Sequence, residues 1–390
     1  MKTLANMSVL LFSIMLFLAC NTPSAPTESS TETVSDSITA QPSSDNQLAK
    51  IKLPSGFKID YYAEDVKNAR SMVLSPSGIL FVGTRDNGSV YALKDENGDG
   101  KADKKWTLAT DLQMPNGVAF KDGDLYVAEV SRIWKFPAIE SNLDKPNKEI
   151  FFEGYPDKTH HGWKYIAFGP DGNLYVPVGA PCNICESEDE IFASITRINM
   201  TTKKREIVHK GIRNTVGITW HPETGKMWFT DNGGDWLGED MPACELNYAP
   251  TDGLNFGFPY CHQGDYPDPK LGKKKSCSEF VPPAAKLGAH VAPLGLEFYT
   301  GNMFPQEYKN TLFIAEHGSW NRTDPSGYKL TLIKLDGEKV ASQTIFAEGW
   351  LEKGAAWGRP VDVELLKDGS MLVSDDQANC IYLITYSGNK

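Results

Sequence analysis

The chain has 390 residues, 41% of them hydrophobic, with 34 glycines, nine tryptophans and a formal net charge of −11. That apolar content is ample for a large packed core, and the length allows one or two domains. The acidic balance argues against nucleic acid and against an anionic membrane surface as partner, because both repel it.

In chain order, Lys2 gives a short positive start, an apolar run covers Val9 to Leu18, and Ala19 precedes Cys20. An apolar core that short reads as a secretory signal rather than a spanning helix. Phe17-Leu18-Ala19-Cys20 resembles a bacterial lipobox, in which Cys20 becomes the lipidated first residue. Residues 21–47 are rich in Ser, Thr and Pro and poor in large apolar side chains, as expected of a disordered tether. The expectation is a signal over 1–20, a tether over 21–47 and one folded domain over 48–390. Such a protein is lipid-anchored in the bacterial cell envelope, on its periplasmic or outer-membrane face.

Beyond the tether a phrase of apolar strand, turn and apolar strand recurs. It reads "SMVLSPSGILFVGTR" from Ser71, "NGVAFKDGDLYVAEV" from Asn116, "KYIAFGPDGNLYVPVG" from Lys164, "VGITWHPETGKMWFTDNG" from Val216, "LGLEFYTGNMFPQEYKNTLFIAEHG" from Leu294 and "VDVELLKDGSMLVSDD" from Val361. A spacing of roughly 45 to 80 residues suits the blades of a β-propeller better than a meander barrel. The last unit stops after three strands, whereas "GFKIDYYAED" after Pro54 is a strand without a unit. The expected fold is all-β, a six-bladed β-propeller from about Leu48 to Tyr386, closed by the N-terminal strand as the outer strand of the last blade.

With Cys20 set aside, six cysteines remain, an even number that favours disulfides in an exported chain. Cys261 and Cys277 bracket a Lys-rich loop and are the best expected pair. "CNIC" at Cys182 to Cys185 reads as a local disulfide or loop brace, since Glu186 follows where haem attachment requires His.

The polar loops "GIRNTVG", "TDNGGDWLGEDMPACELN", "EHGSWNR" and "WGRPVDV" fall at equivalent ends of neighbouring blades. Their convergence gathers Arg213, Arg322, Arg359, Lys164, Asn214, Trp320 and the imidazoles of His160, His161 and His317. Cations collected at one mouth of an acidic protein suit a small polyanion, which arginine grips through its bidentate fork. Gly233 and Gly234, beside Asp231, Asp235, Glu239 and Asp240, offer hard oxygen ligands for calcium. A histidine next to them can serve as general base. Separately, "DENGDGKAD" places Asp95, Asn97, Asp99 and Asp103 at calcium-loop positions with Gly100 at the turn, but Trp106 stands where the bidentate Glu belongs. It reads as a structural calcium loop or a solvated polar turn. His209, His221, Trp220 and Trp228, in or beside strands, read as structural.

Together, "GWKYIAFGPDGNLYVPVGAPCN", "IRNTVG", "TDNGGDWLGED", "LGAHVAPLG", "EHGSWNR" and "GRPVDV" resemble the L-sorbosone dehydrogenase branch of the soluble pyrroloquinoline quinone (PQQ)-dependent glucose and aldose dehydrogenases. The resemblance covers nearly everything after the tether. It implies a six-bladed propeller holding PQQ, a tricarboxylate, over the axis with calcium at its quinone edge. It further implies oxidation of a sugar or sugar aldehyde, with a histidine taking the hydroxyl proton as hydride passes to the quinone. By position that base is His161, with His160 beside it. Arg213 and Asn214 match a PQQ-binding pair, Arg359 matches one of two late arginines, and the carbonyls of Gly233 and Gly234 fall at the calcium turn. Lys164, Trp320 and Arg322 complete the expected cofactor-binding set. The chain departs from the pattern at Val361, in place of the second late arginine, at Tyr165, in place of another arginine, and at Cys244, in place of an acid. With no haem motif and no nucleotide fingerprint, a separate cytochrome or quinone has to accept the electrons. Two other readings stay open: a calcium-dependent lactonase, and a non-catalytic carbohydrate-binding lipoprotein.

Overall fold

A computed structural model describes residues 47–388. The expected signal, the expected lipidation site Cys20 and all but the last residue of the expected tether lie outside the described residues. Within them, no helix is long and apolar enough to cross a membrane.

Six four-stranded antiparallel sheets follow one another. Blades 1 to 5 open on the first strands Ala69–Leu74, Gly117–Lys121, Ala167–Phe168, Ile218–Trp220 and Pro293–Phe298, and blade 6 opens on Pro360–Leu365. The outer strand of blade 6 is Phe57–Ala63, paired antiparallel with Cys380–Tyr386 in a register running from Phe57 opposite Tyr386 to Tyr61 opposite Tyr382. The expected closure is therefore present. Blade 4 gains its outer strand, Ala285–Ala289, only after an excursion that carries the Cys261–Cys277 disulfide. Cys182 and Cys185 are bonded to each other, while Cys244 and Cys380 are buried thiols.

The second strands are buried along their whole length in blades 1, 3, 4, 5 and 6, which explains their largely apolar sequence. Their period of two then sorts residues between neighbours. Leu80 and Val82 join Leu372 and Ile381 of blade 6, while Phe81 between them joins Val118 and Leu125 of blade 2. One apolar cluster of this kind fills each blade interface. Towards the axis the first strands come so close that a Cβ on Gly217 would lie 2.1 Å from the carbonyl oxygen of Leu294.

In every blade one first-strand residue pairs with the first large apolar residue of the second strand: Leu74, Phe120, Phe168, Trp220, Phe298 and Leu365. Four residues before each stand Arg70, Asn116, Lys164, Val216, Leu294 and Val361, all buried. The last three pack into one cluster with Trp163 against it. The first three are joined by polar contacts: Arg70 Nε donates to Asn116 Oδ1 at 2.7 Å, and Asn116 Nδ2 donates to the Lys164 carbonyl at 3.0 Å. This ring is the floor of the site.

Candidate active site

Above the ring, where first strands begin and second strands finish, lies a cavity of ≈320 Å³. Four guanidinium groups face it, those of Arg70, Arg85, Arg213 and Arg359, together with His161, Trp163, Asn214, His290, His317 and Trp320. The segments that carry them are fixed by carboxylates ending second strands. Asp231 accepts from the backbone N–H of Arg213 at 2.8 Å and of Asn214 at 2.6 Å, and Asp375 accepts from Arg359 N–H at 2.8 Å. The same device thus serves blades 4 and 6.

His161 is buried, at a φ of 50°. Its Nδ1 lies 3.0 Å from the carbonyl oxygen of Ala180. A carbonyl only accepts, so Nδ1 carries the hydrogen and Nε2 keeps its lone pair. Burial, then the charges of Arg213 and His160, push its pKa down to about 2, so the ring is neutral at any working pH. His160 is exposed and is not part of the cavity wall, although its ring centroid lies 4.1 Å from that of His161.

Each arginine is anchored by protein acceptors, Arg85 by the neighbouring carboxylate of Asp86. Arg213 donates through Nε to the Asn183 carbonyl, through Nη1 to that of Asn232, and through Nη2 to Asn183 Oδ1 and Asp235 Oδ2. Arg359 donates to the carbonyls of His317, Gly318 and Ser319. Arg70 is 1% exposed and pairs through Nη1 with Asp376 at 2.8 Å, while the other oxygen of Asp376 accepts from His317 Nε2 at 2.8 Å. Flanked by two donors, Asp376 is held well below the usual carboxylate range despite its burial. Burial pushes His317 down to about 4, against the pull of Asp376.

Of the expected residues, the structure brings His161, Arg213, Asn214, Arg359, Trp320 and Gly233 to this cavity. It does not bring Lys164 or Arg322. The Lys164 ammonium bonds the Gly162 carbonyl and lies 5.3 Å from the Tyr155 ring centroid, and burial lowers its pKa to about 7. Arg322 is turned to Asp240 at 2.7 Å. The departures from the family pattern also find places. Tyr165 borders a hollow at the opposite end of the axis, and Val361 belongs to the apolar half of the ring, next to the blade that supplies Arg70. Arg70, Arg85, Trp163, His290 and Asp376 went unnoticed in the sequence. Arg70 carried one faint signal, since it stands as far ahead of its hairpin turn as Lys164 does of its own.

A second hollow of ≈10 Å³ lies beneath, lined among others by Asp231, Gly233, Gly234, Glu245 and Gln263. Burial raises both carboxyl groups, and the charge of Asp231 raises Glu245 further. Cys244 lies at the boundary; its sulfur accepts from Gly233 N–H at 3.4 Å, and burial pushes the thiol up to about 11. Among the described residues, no three His, Cys, Asp or Glu side chains are grouped to hold a metal ion. The Asp95 to Asp103 loop follows the third strand of blade 1, at the end away from the cavity. There Asp95 accepts from the N–H groups of Gly98 and Gly100, Asn97 from that of Asp99, and Asp103 from those of Glu96 and Asn97. It is a turn whose side chains satisfy its own backbone.

A family model described as TrAA12-like matches residues 51–387. The chain belongs to the TrAA12-like family. One relative, an uncharacterised protein of Borreliella burgdorferi, is 35% identical over 354 residues, 86% of this chain and 91% of that one. A pyrroloquinoline quinone-dependent pyranose dehydrogenase of Coprinopsis cinerea is 23% identical over 73% of this chain, which spans 45% of that protein's length. Among solved structures, a Trichoderma reesei carbohydrate-active enzyme of family AA12, determined with calcium, aligns with a TM-score of 0.76 at 20% identity, covering 86% of this chain and 97% of that one. The holo PQQ domain of the Coprinopsis cinerea pyranose dehydrogenase aligns with a TM-score of 0.74 at 18% identity over 86% of this chain and 97% of its own. The TrAA12-like propeller is thus the frame in which this arginine-lined cavity sits.

Proposed function

We propose that the protein is a PQQ-dependent dehydrogenase that oxidises a sugar or sugar aldehyde, an L-sorbosone-like compound included. The observation that carries this is the conjunction, in one cavity, of four anchored guanidinium groups and a neutral imidazole with a free Nε2 lone pair. The residues fit a planar tricarboxylate. Among the described residues, Arg359 Nη1 and Arg70 Nη2 meet no protein acceptor, and the indole Nε1 of Trp163 is buried without a partner. Donors left in that state call for an anionic acceptor.

When bound, PQQ supplies an ortho-quinone able to take a hydride from a carbon bearing a hydroxyl group. The protein does the rest. Arg213 and Arg359 would hold carboxylates, Asn214 would offer an amide, and Trp163 would add a donor and an apolar face. His161 Nε2 accepts the hydroxyl proton, and the Ala180 carbonyl keeps the ring in the required tautomer. For calcium, the nearest hard oxygens are the carbonyls of Gly233 and Gly234 with the carboxylates of Asp231 and Glu245. A cation there would let both carboxyl groups ionise. The electrons would have to leave to a separate cytochrome or quinone, which lipid anchoring through Cys20 at the cell envelope would bring near.

The test is to titrate purified full-length protein with PQQ and calcium and to follow dye reduction on a panel of aldoses and sugar aldehydes, against His161→Ala. Micromolar or tighter PQQ binding, with dye reduction lost in the variant, supports the reading. If PQQ does not bind while lactones are hydrolysed with calcium present, the protein is a lactonase and the proposal is wrong.

A further inference from the structure

Two indoles stand in solvent at the cavity mouth: Trp236 is 71% exposed and Trp320 66%, edge to face with centroids 5.3 Å apart at 89°. Large aromatic surface left in water is a cost unless something covers it. Trp236 also holds a φ of 67°, a left-handed backbone that a bulky residue adopts only under constraint. The constraint is visible. Asn321, next to Trp320, donates to Asp235, next to Trp236, at 3.0 Å. Asp235 is itself held by Arg213 at 2.9 Å and, through its backbone, by Asn183. Further out Arg322 pairs with Asp240, and Thr323 donates twice to Glu239. The two loops, from blades 4 and 5, are laced into one ridge with the two rings on it.

This ridge separates two hollows. On one side is the arginine-lined cavity, with Trp320 in its wall; on the other is a groove of ≈590 Å³ bordered by Ile184, Trp236, Leu237, Leu271, Glu186 and Lys270. Asp235 borders both, and the Cys182–Cys185 disulfide braces the groove's wall. A monosaccharide reacting in the cavity does not need Trp236, which lines only the groove.

We propose that the ridge and groove bind the sugar units next to the one that reacts, so that the substrate is the end of an oligosaccharide or glycan chain. The inference rests on the sugar-dehydrogenase reading above. A pyranose ring presents a C–H face, weakly positive, that is drawn to the negative face of an indole, and an edge of hydroxyl groups that needs polar partners. Rings standing over a groove with both apolar and charged walls meet both needs. A docked protein acceptor would ask for a broad continuous patch, whereas the aromatic strip here is two rings wide and bordered by Glu186, Glu239 and Asp240.

The experiment measures, by calorimetry and tryptophan fluorescence, binding of malto-, cello-, manno- and chito-tetraose and of their monosaccharides to the full chain, with and without PQQ. At least one tetrasaccharide is expected to bind about tenfold more tightly than its monosaccharide, the scale of one or two aromatic contacts. Trp236→Ala should remove that advantage and Trp236→Phe retain part of it, with unfolding temperature as the control; Leu237→Asp, on the groove wall, is the second variant. Equal affinity for tetrasaccharides and monosaccharides overturns the proposal, as does an advantage that survives Trp236→Ala and Leu237→Asp. So does an unchanged advantage accompanied by slower reduction of a cytochrome c, which would make the ridge an acceptor dock. PQQ titration of the same samples separates the two readings: tetrasaccharide binding without PQQ binding removes the quinoprotein and leaves a chain-binding propeller.

Discussion

The six equivalent residues around the axis divide into two halves. Blades 1 to 3 contribute Arg70, Asn116 and Lys164, joined by hydrogen bonds, and blades 4 to 6 contribute Val216, Leu294 and Val361, joined by packing. Backbone position and burial are the same in both. The apolar half is a plug, and burying it stabilises the ring without direction. The polar half is costly unless every group is satisfied, and in return it fixes where a guanidinium points. A repeated fold supplies six identical seats, and side chains alone decide which of them serve the cavity.

Breaking the polar side where it meets chemistry should have the largest effect. His161→Ala is expected to lower kcat for dye reduction by roughly 10²–10⁴-fold, with PQQ affinity within a few-fold of the parent. Next comes Arg70→Leu, which turns the polar half towards the plug. It strands Asp376 with a neutral His317 and should cost about 3–5 kcal/mol in urea unfolding, the usual penalty for one partner of a buried ion pair.

The pH dependence of this network separates the halves further. His317 has a folded pKa of about 4, below its unfolded value, so the unfolded chain binds the proton first. Its contribution to stability is complete above about pH 6.5 and is lost as pH falls towards 4, at roughly 1.4 kcal/mol per unit. Buried carboxyls with raised values, Asp362 and Glu364 among them, act in the opposite direction. The informative quantity is therefore the difference in slope between the parent and His317→Gln over that interval. On the apolar side Val216→Ala should give the smallest change, about 1–2 kcal/mol, with no pH dependence and unaltered PQQ binding. A large loss of PQQ affinity from Val216→Ala would erase the distinction.

The propeller was legible because its signal is local and repeated. Each hairpin announces itself within some fifteen to twenty-five residues, and the closing strand was found because the last unit lacked one. The Cys261–Cys277 bond followed from a loop that its ends bracket. The site was legible where a motif sits between strands, as with His161, Arg213 and Arg359. It was not legible where meaning depends on ring closure. Arg70 reads as an ordinary cation at a strand start, and its partner Asp376 is 306 residues away. Lys164 and Arg322 were placed with the cluster because they are neighbours in sequence, yet burial against Tyr155 takes one and Asp240 takes the other. Proximity along a chain does not say which way a side chain turns.

The pairing of Phe57–Ala63 with Cys380–Tyr386 also sets an order of events. The chain emerges from the ribosome N-terminus first, so the strand at Phe57 has no partner until Cys380–Tyr386, more than 300 residues later, has been made. Until then blade 6 does not exist and blade 1 has no neighbour on one side, which leaves open edges prone to pairing with other chains. A chain cut short before Cys380 would lose the clasp of the ring, so closure of the whole propeller waits on the strand Cys380–Tyr386.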